Sequence, residues 1–266
     1  MTSPVPRLRL TLLGIGAMNS PRFGPAGLLV RCASRRIAID GGPGAEPPRD
    51  LQAWLVTDEH AELRGALRRL ARERGLPEPS SSEYLDGGLC VRPLPVEHTS
   101  HPAYGYQISA GCGMAVWAPE FWRFPDWADG ADLMFAEAAS WSRPIRFRGG
   151  VGGHAPVTAV AAEAAGRGIR RLVYAHIGRP TLRAIDAGLR PPFGEWGVEG
   201  RTYTVPGRPK TGQLSSSTTP GGSVMSGGRF RGAIFDIDEV LVGSPHERGR
   251  GPAGGLRRRA SLRPGG

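Results

Sequence analysis

The apolar pattern of this chain breaks at one place, and the break limits what can fold. From residue 7 to 205, short apolar runs recur between Gly, Pro and Asn turns. From Pro206 to Gly228 the chain is mainly Pro, Gly, Ser and Thr, with almost no apolar side chain. Such a stretch has nothing to bury and reads as a flexible linker. One core-forming domain is therefore expected over residues 7–205, a length that supports a single hydrophobic core. Beyond the linker, Phe230–Val242 (FRGAIFDIDEVLV) reads as one strong strand, and residues 248–266 as a disordered basic tail.

Within 7–205 the periodicities place the elements. Alternating or continuous apolar runs predict strands at 7–13, 27–32, 36–40, 53–57, 89–96, 103–109, 114–117, 133–136, 169–175 and 201–205. Helical spacing of Ala61, Leu63, Leu67, Leu70 and Ala71 predicts a helix over 58–74. Further helices are expected over 156–166 and 180–187. Strands dominate the first half and alternate with helices in the second, so the expected class is α/β, with sheets layered between helices.

Charge is uneven. Residues 1–200 hold 23 basic and 20 acidic side chains, whereas 201–266 hold 11 and 4. The basic excess belongs to the tail, which is the one element suited to nucleic acid. Cys32, Cys90 and Cys112 are odd in number and widely spaced, which argues against a disulfide framework and for reduced thiols in the cytoplasm. No run of 18 apolar residues exists, so no membrane span or membrane partner is expected. Gly14 and Gly16 interrupt the first apolar run, which reads as a core strand and not a signal peptide.

The histidines carry the chemistry. His60, His98 and His176 follow predicted strands, and His154 opens a helix after the glycine-rich run Gly149–Gly153. Asp132 and Glu137 flank another strand. Imidazoles and carboxylates gathered at strand ends suit Zn²⁺ or Mn²⁺. His101 and His246 read as surface histidines.

These segments, in this order, resemble the metallo-β-lactamase fold in its ribonuclease Z-like and phosphodiesterase branch. The resemblance rests on LTLLGIGAMNSPRFGPAGLLV with RRIAIDGGPG, VEHTSHPAYGYQI, ADLMFAEAASW, GGHAPVTAVAAEAA and LVYAHIGRPT, and spans residues 8–205. It implies an αββα sandwich with a turn at Asp40. It also implies a divalent metal site of one or two ions, and hydrolysis of a small phosphodiester or similar ester. Residue by residue, it implies metal ligands at Asp58, His60, Glu62, His98, Asp132 and His176. Asp132 would bridge two ions, and Glu137 would orient His154 as proton donor to the leaving oxygen. The match departs at the main motif, Thr-His-x-His-x-Asp-His, where this chain has Thr57-Asp58-Glu59-His60-Ala61-Glu62-Leu63. Leu63 cannot bind a metal, so the site is reduced and a mononuclear arrangement becomes an alternative to the two-ion clamp. The carboxylate-rich donor set shifts preference from Zn toward Mn or Fe. The alternative is a catalytically silent member that binds a nucleotide or a protein partner.

Two further readings complete the sequence. The segment Ala118–Gly130 is rich in Trp and Phe and is expected to pack as a cap on the sandwich, or to wall the substrate. Residues 229–247 resemble the first motif of haloacid dehalogenase-like phosphatases, with Asp236 and Asp238 two apart. That resemblance implies the opening of a second domain that is cut short.

Overall fold

The computed structural model describes residues 7–111 and 113–205. The expected linker, the strand expected at 230–242, the phosphatase-like segment, the expected basic tail and His246 all lie outside the described residues.

Two large sheets dominate the described residues. The first contains β1 (Leu8–Gly14), β2 (Gly27–Cys32), β3 (Arg35–Asp40), β4 (Ala53–Leu55) and β14 (Thr202–Val205), in the order β14-β1-β2-β3-β4. The second contains β5 (Tyr84–Asp86), β6 (Leu89–Val96), β7 (Ala103–Ala110), β8 (Gly113–Ala118), β9 (Leu133–Ala138), β12 (Leu172–Ile177) and β13 (Glu195–Trp196), in the order β13-β12-β9-β8-β7-β6-β5. A short hairpin pairs β10 (Ile145–Arg146) with β11 (Gly153–His154). The helices are α1 (Arg64–Arg74), α2 (Val157–Gly166) and α3 (Arg179–Asp186).

Strand periodicity explains the layers. Side chains alternate across a strand, so Ile37 and Ile39 of β3 enter the core between the sheets while Ala38 faces the other way. The inter-sheet core joins Leu10, Leu12, Leu28 and Val30 to Val91, Ile108, Trp117 and Phe135. On the outer face, Ala38, Trp54 and Val56 meet Leu67 and Ala71 of α1. α2 buries Val157, Val160 and Ala164 against β9 from the other side. The result is the αββα sandwich. No helix among the described residues is long and apolar enough to cross a membrane.

Two departures from the sequence reading bear on function. The helix expected from residue 58 begins only at Arg64. Asp58 Oδ1 instead accepts the His60 backbone N–H at 2.7 Å, a local turn that competes with helix. Residues 58–63 are thus a loop. The strand expected at 169–175 lies at Leu172–Ile177, which puts His176 inside the strand.

Strand direction fixes where the site forms. β8, β9 and β12 run parallel, so their C-terminal ends share one edge. β3 and β4 are also parallel. Residues from these ends line a single cavity of about 510 Å³. Ligands in α/β sheets typically lie at this carboxyl edge.

Candidate active site

Asp40 ends β3 with a left-handed backbone, φ 54°. One carboxylate oxygen accepts the Thr57 N–H at 2.8 Å and its hydroxyl at 3.0 Å. The other accepts Trp117 Nε1 at 2.7 Å. Burial pushes this carboxyl up to about 6, against the pull of those donors. Asp40 therefore pins the loop after β4 to the first sheet, and the first sheet to β8.

Glu137 is the buried hub. It has no exposed surface and accepts four hydrogen bonds or ion-pair contacts. Backbone N–H groups of Ala139 and Phe121 donate at 2.7 and 3.2 Å. Nδ1 of His154 lies at 2.7 Å and Nδ1 of His176 at 3.4 Å. Burial opposes the charge, but the two imidazoles outweigh it and hold the carboxyl down at about 2.

His176 reaches the cavity through a local irregularity. The β9–β12 register shifts between Tyr174 and Ile177, and His176 has φ 56°. Its Nε2 lies 2.6 Å from Glu120 Oε1. His98 approaches the same carboxylate from the far side, with Nε2 3.2 Å from Oε2. His98 Nδ1 is 2.9 Å from the Gly153 carbonyl. A carbonyl only accepts, so Nδ1 carries the proton. Burial disfavours charge on both rings, yet Glu120 and Glu137 outweigh it. His98 is raised above the usual histidine range, and His176 rises to about 10. Glu120 is correspondingly held well below the usual carboxylate range.

The glycine run has a steric cause. A Cβ on Gly152 would sit 2.1 Å from the His98 carbonyl oxygen, and one on Gly153 1.9 Å from that of Ile145. The backbone passes too close for any side chain, and the Gly153 N–H bonds the His98 carbonyl at 2.9 Å.

These charges set a stability profile for the metal-free protein. The raised His176 contributes stability that is complete below 6.5 and lost as pH rises through about 10. Asp40, also raised, loses its contribution as pH rises from 3.8 through about 6. Glu137, depressed, contributes above 4.5 and loses it as pH falls toward about 2. Thermal midpoints of the metal-free protein are therefore expected to fall steadily from pH 6.5 to 10. A flat profile over that range would contradict the imidazole–carboxylate cluster.

The structure brings His98, Glu137, His154 and His176 together and leaves other expected residues apart. Asp132 is a correction. It precedes β9 and accepts the Met114 N–H at 2.9 Å, at the N-terminal edge of the sheet. Five residues of strand span about 16 Å, so Asp132 cannot reach the groups around Glu137. The carboxylate between His98 and His176 is Glu120, two residues after β8. Sequence reasoning missed it. The available signal was an acid just past an apolar strand parallel to β9. Asp58 lines the cavity, but its carboxylate is engaged by the His60 N–H and by His101 Nε2 at 2.8 Å. His101 is therefore a cavity residue, not a surface one. His60 and Glu62 are exposed on the loop and line the cavity together with Leu63, and the His60 ring lies 5.0 Å from that of His101. The Trp-rich segment packs as a cap: Phe121 is buried, Phe124 and Trp127 abut the core, and none of these three lines the cavity.

The donor chemistry fits one divalent ion. Glu137, His154 and His176 bring one ligand atom each within 4.8 Å of one another. Glu137 already accepts four groups, so it serves better as the anchor of the two rings. Histidines that hold metals usually have the second ring nitrogen hydrogen-bonded in this way. His98 and His176, both anchored at Nδ1, aim Nε2 at Glu120, and a cation there would replace protons. Among the described residues, Leu63 offers no donor at the position of the family's last histidine, and the Asp58 carboxylate is engaged by His60 and His101.

No protein-family model matches the chain, and no curated protein matches it in sequence. Solved structures do match. The metallo-β-lactamase fold protein YhfI from Bacillus subtilis superposes with a TM-score of 0.58 at 14% identity, covering 76% of this chain and 100% of its own. Zn²⁺-bound PqqB from Methylobacterium extorquens gives 0.57 at 14%, covering 73% and 99%. A diphosphatase from the PhnP family gives 0.56 at 16%, covering 74% and 97%. Sheet order, layers and these superpositions agree: the chain has the metallo-β-lactamase fold.

Proposed function

We propose that this protein is a metal-dependent hydrolase of a phosphodiester or similar ester, using one divalent ion, Zn or alternatively Mn or Fe. The ion would be held by His98, Glu120 and His176. The observation that carries the reading is the set of three imidazoles, each fixed at Nδ1, grouped around the buried Glu137 and the half-buried Glu120. When bound, such an ion supplies a Lewis acid and an activated water.

The chain's own residues do the rest. Glu137, ionised and accepting only, fixes the proton of His154 on Nδ1. Nε2 of His154 is then the atom available to the cavity, and as a general acid it delivers a proton to the leaving oxygen. Glu137 stabilises the imidazolium before transfer and restores ring orientation after it. Phe147 stands edge-on to both His98 and His154, with ring centroids 5.3 Å apart in each case, and holds the two planes.

Leu63 and the engaged Asp58 favour a second reading, a catalytically silent protein that binds a nucleotide or a protein partner. Elemental analysis of the full chain separates the two. About one equivalent of metal is expected, lost in His98→Ala and His176→Ala, together with hydrolysis of bis(p-nitrophenyl) phosphate. Two equivalents would contradict the single-ion arrangement. No metal after reconstitution would favour the silent protein.

A further inference from the structure

Part of the cavity wall has its own chemistry. Met18, from the loop after β1, is 44% exposed there. Leu63 joins it from the loop before α1, and Ile145 and Phe147 from the β10–β11 hairpin. Three separate segments thus present apolar side chains to one opening. Leu63 stands where the resembling motif has a metal-binding histidine, so an apolar surface replaces a ligand. The charges on the wall point the same way. Arg179 is the only Lys or Arg among the described residues lining the cavity, against the carboxylates of Asp40, Asp58, Glu62 and Glu120. A polynucleotide needs several cations along its backbone, and Arg179 alone does not supply them. Phe147 links wall to floor, since its ring contacts His98 and His154.

We infer that the site takes a small ester whose group beyond the scissile bond is an alkyl or aryl chain, seated on Met18, Leu63, Ile145 and Phe147. The chemistry at the floor rests on the hydrolase reading, whereas the apolar seat stands on the wall alone.

The test uses non-hydrolysable probes and the full chain. Methyl-, butyl- and octylphosphonate are titrated by calorimetry, with hydrolysis of the matching alkyl p-nitrophenyl phosphates followed in parallel. Affinity is expected to rise about fourfold per methylene until the chain leaves the wall. Leu63→Ser and Met18→Ser should flatten the series without changing metal content, and Leu63→Met should keep it. A single-stranded oligonucleotide should not displace octylphosphonate. A series that is flat or undetectable at every length, or displacement by the oligonucleotide, overturns the inference. The two readings fail separately. Hydrolysis with chain-independent KM would remove the apolar seat and keep the hydrolase. A rising series with no ester hydrolysed would keep the seat and remove the hydrolase.

Discussion

His154→Ala lowers kcat by roughly 10²- to 10⁴-fold, the usual worth of a positioned general acid, with metal content unchanged. The expectation comes from Glu137, which lies 2.7 Å from His154 Nδ1 and leaves Nε2 as the only ring atom able to serve a leaving group. The loss should depend on that group. A substrate leaving as p-nitrophenolate needs little protonation and should lose least, whereas an alkoxide leaving group should lose most. Equal losses for both would argue that His154 acts by packing against His176, whose ring centroid lies 5.3 Å away. Unchanged turnover with every substrate would remove the proton-donor role.

Glu137→Leu should destabilise the protein by about 3–5 kcal/mol, as expected when one partner of a buried charged cluster is removed. Leu approximates the size of Glu, so little cavity is left. The loss comes from stranding the Phe121 and Ala139 N–H groups and the two imidazole N–H groups that Glu137 accepts. Buried donors without acceptors are costly. Glu137→Gln keeps one acceptor oxygen and should lose markedly less. Urea unfolding of the full chain at pH 6 would check both, and a Leu variant within 1 kcal/mol of Glu137→Gln would mean that water reaches the hub.

The sheet layers were legible from apolar runs of the right length, because strands buried on both faces announce themselves. His98, His154 and His176 were legible because each follows or opens a well-marked element. The edge to which each acid belongs was not legible. Asp132 and Glu137 bracket the same strand, and only strand direction tells which one faces the site. Glu120 hid inside a Trp-rich segment whose rings drew the eye toward a cap. The loop at 58–63 was masked by helical spacing that Ala61 and Leu63 happen to continue, whereas the Asp58 side chain captures the His60 N–H and delays the helix. His101 could not be placed from sequence, since its partner Asp58 is 43 residues away.

The close approach at Gly152 and Gly153 has a consequence for finding proteins like this one. Ligand positions can drift: a leucine stands where a histidine is expected, and a glutamate carries the bridging contact. The backbone at 152–153 cannot drift in the same way, because any side chain there would strike a carbonyl oxygen. In a saturation library selected only for folding, these two codons should return glycine almost alone. A search pattern built on forbidden volume, two glycines directly before His154, would retrieve relatives that a pattern of metal ligands discards.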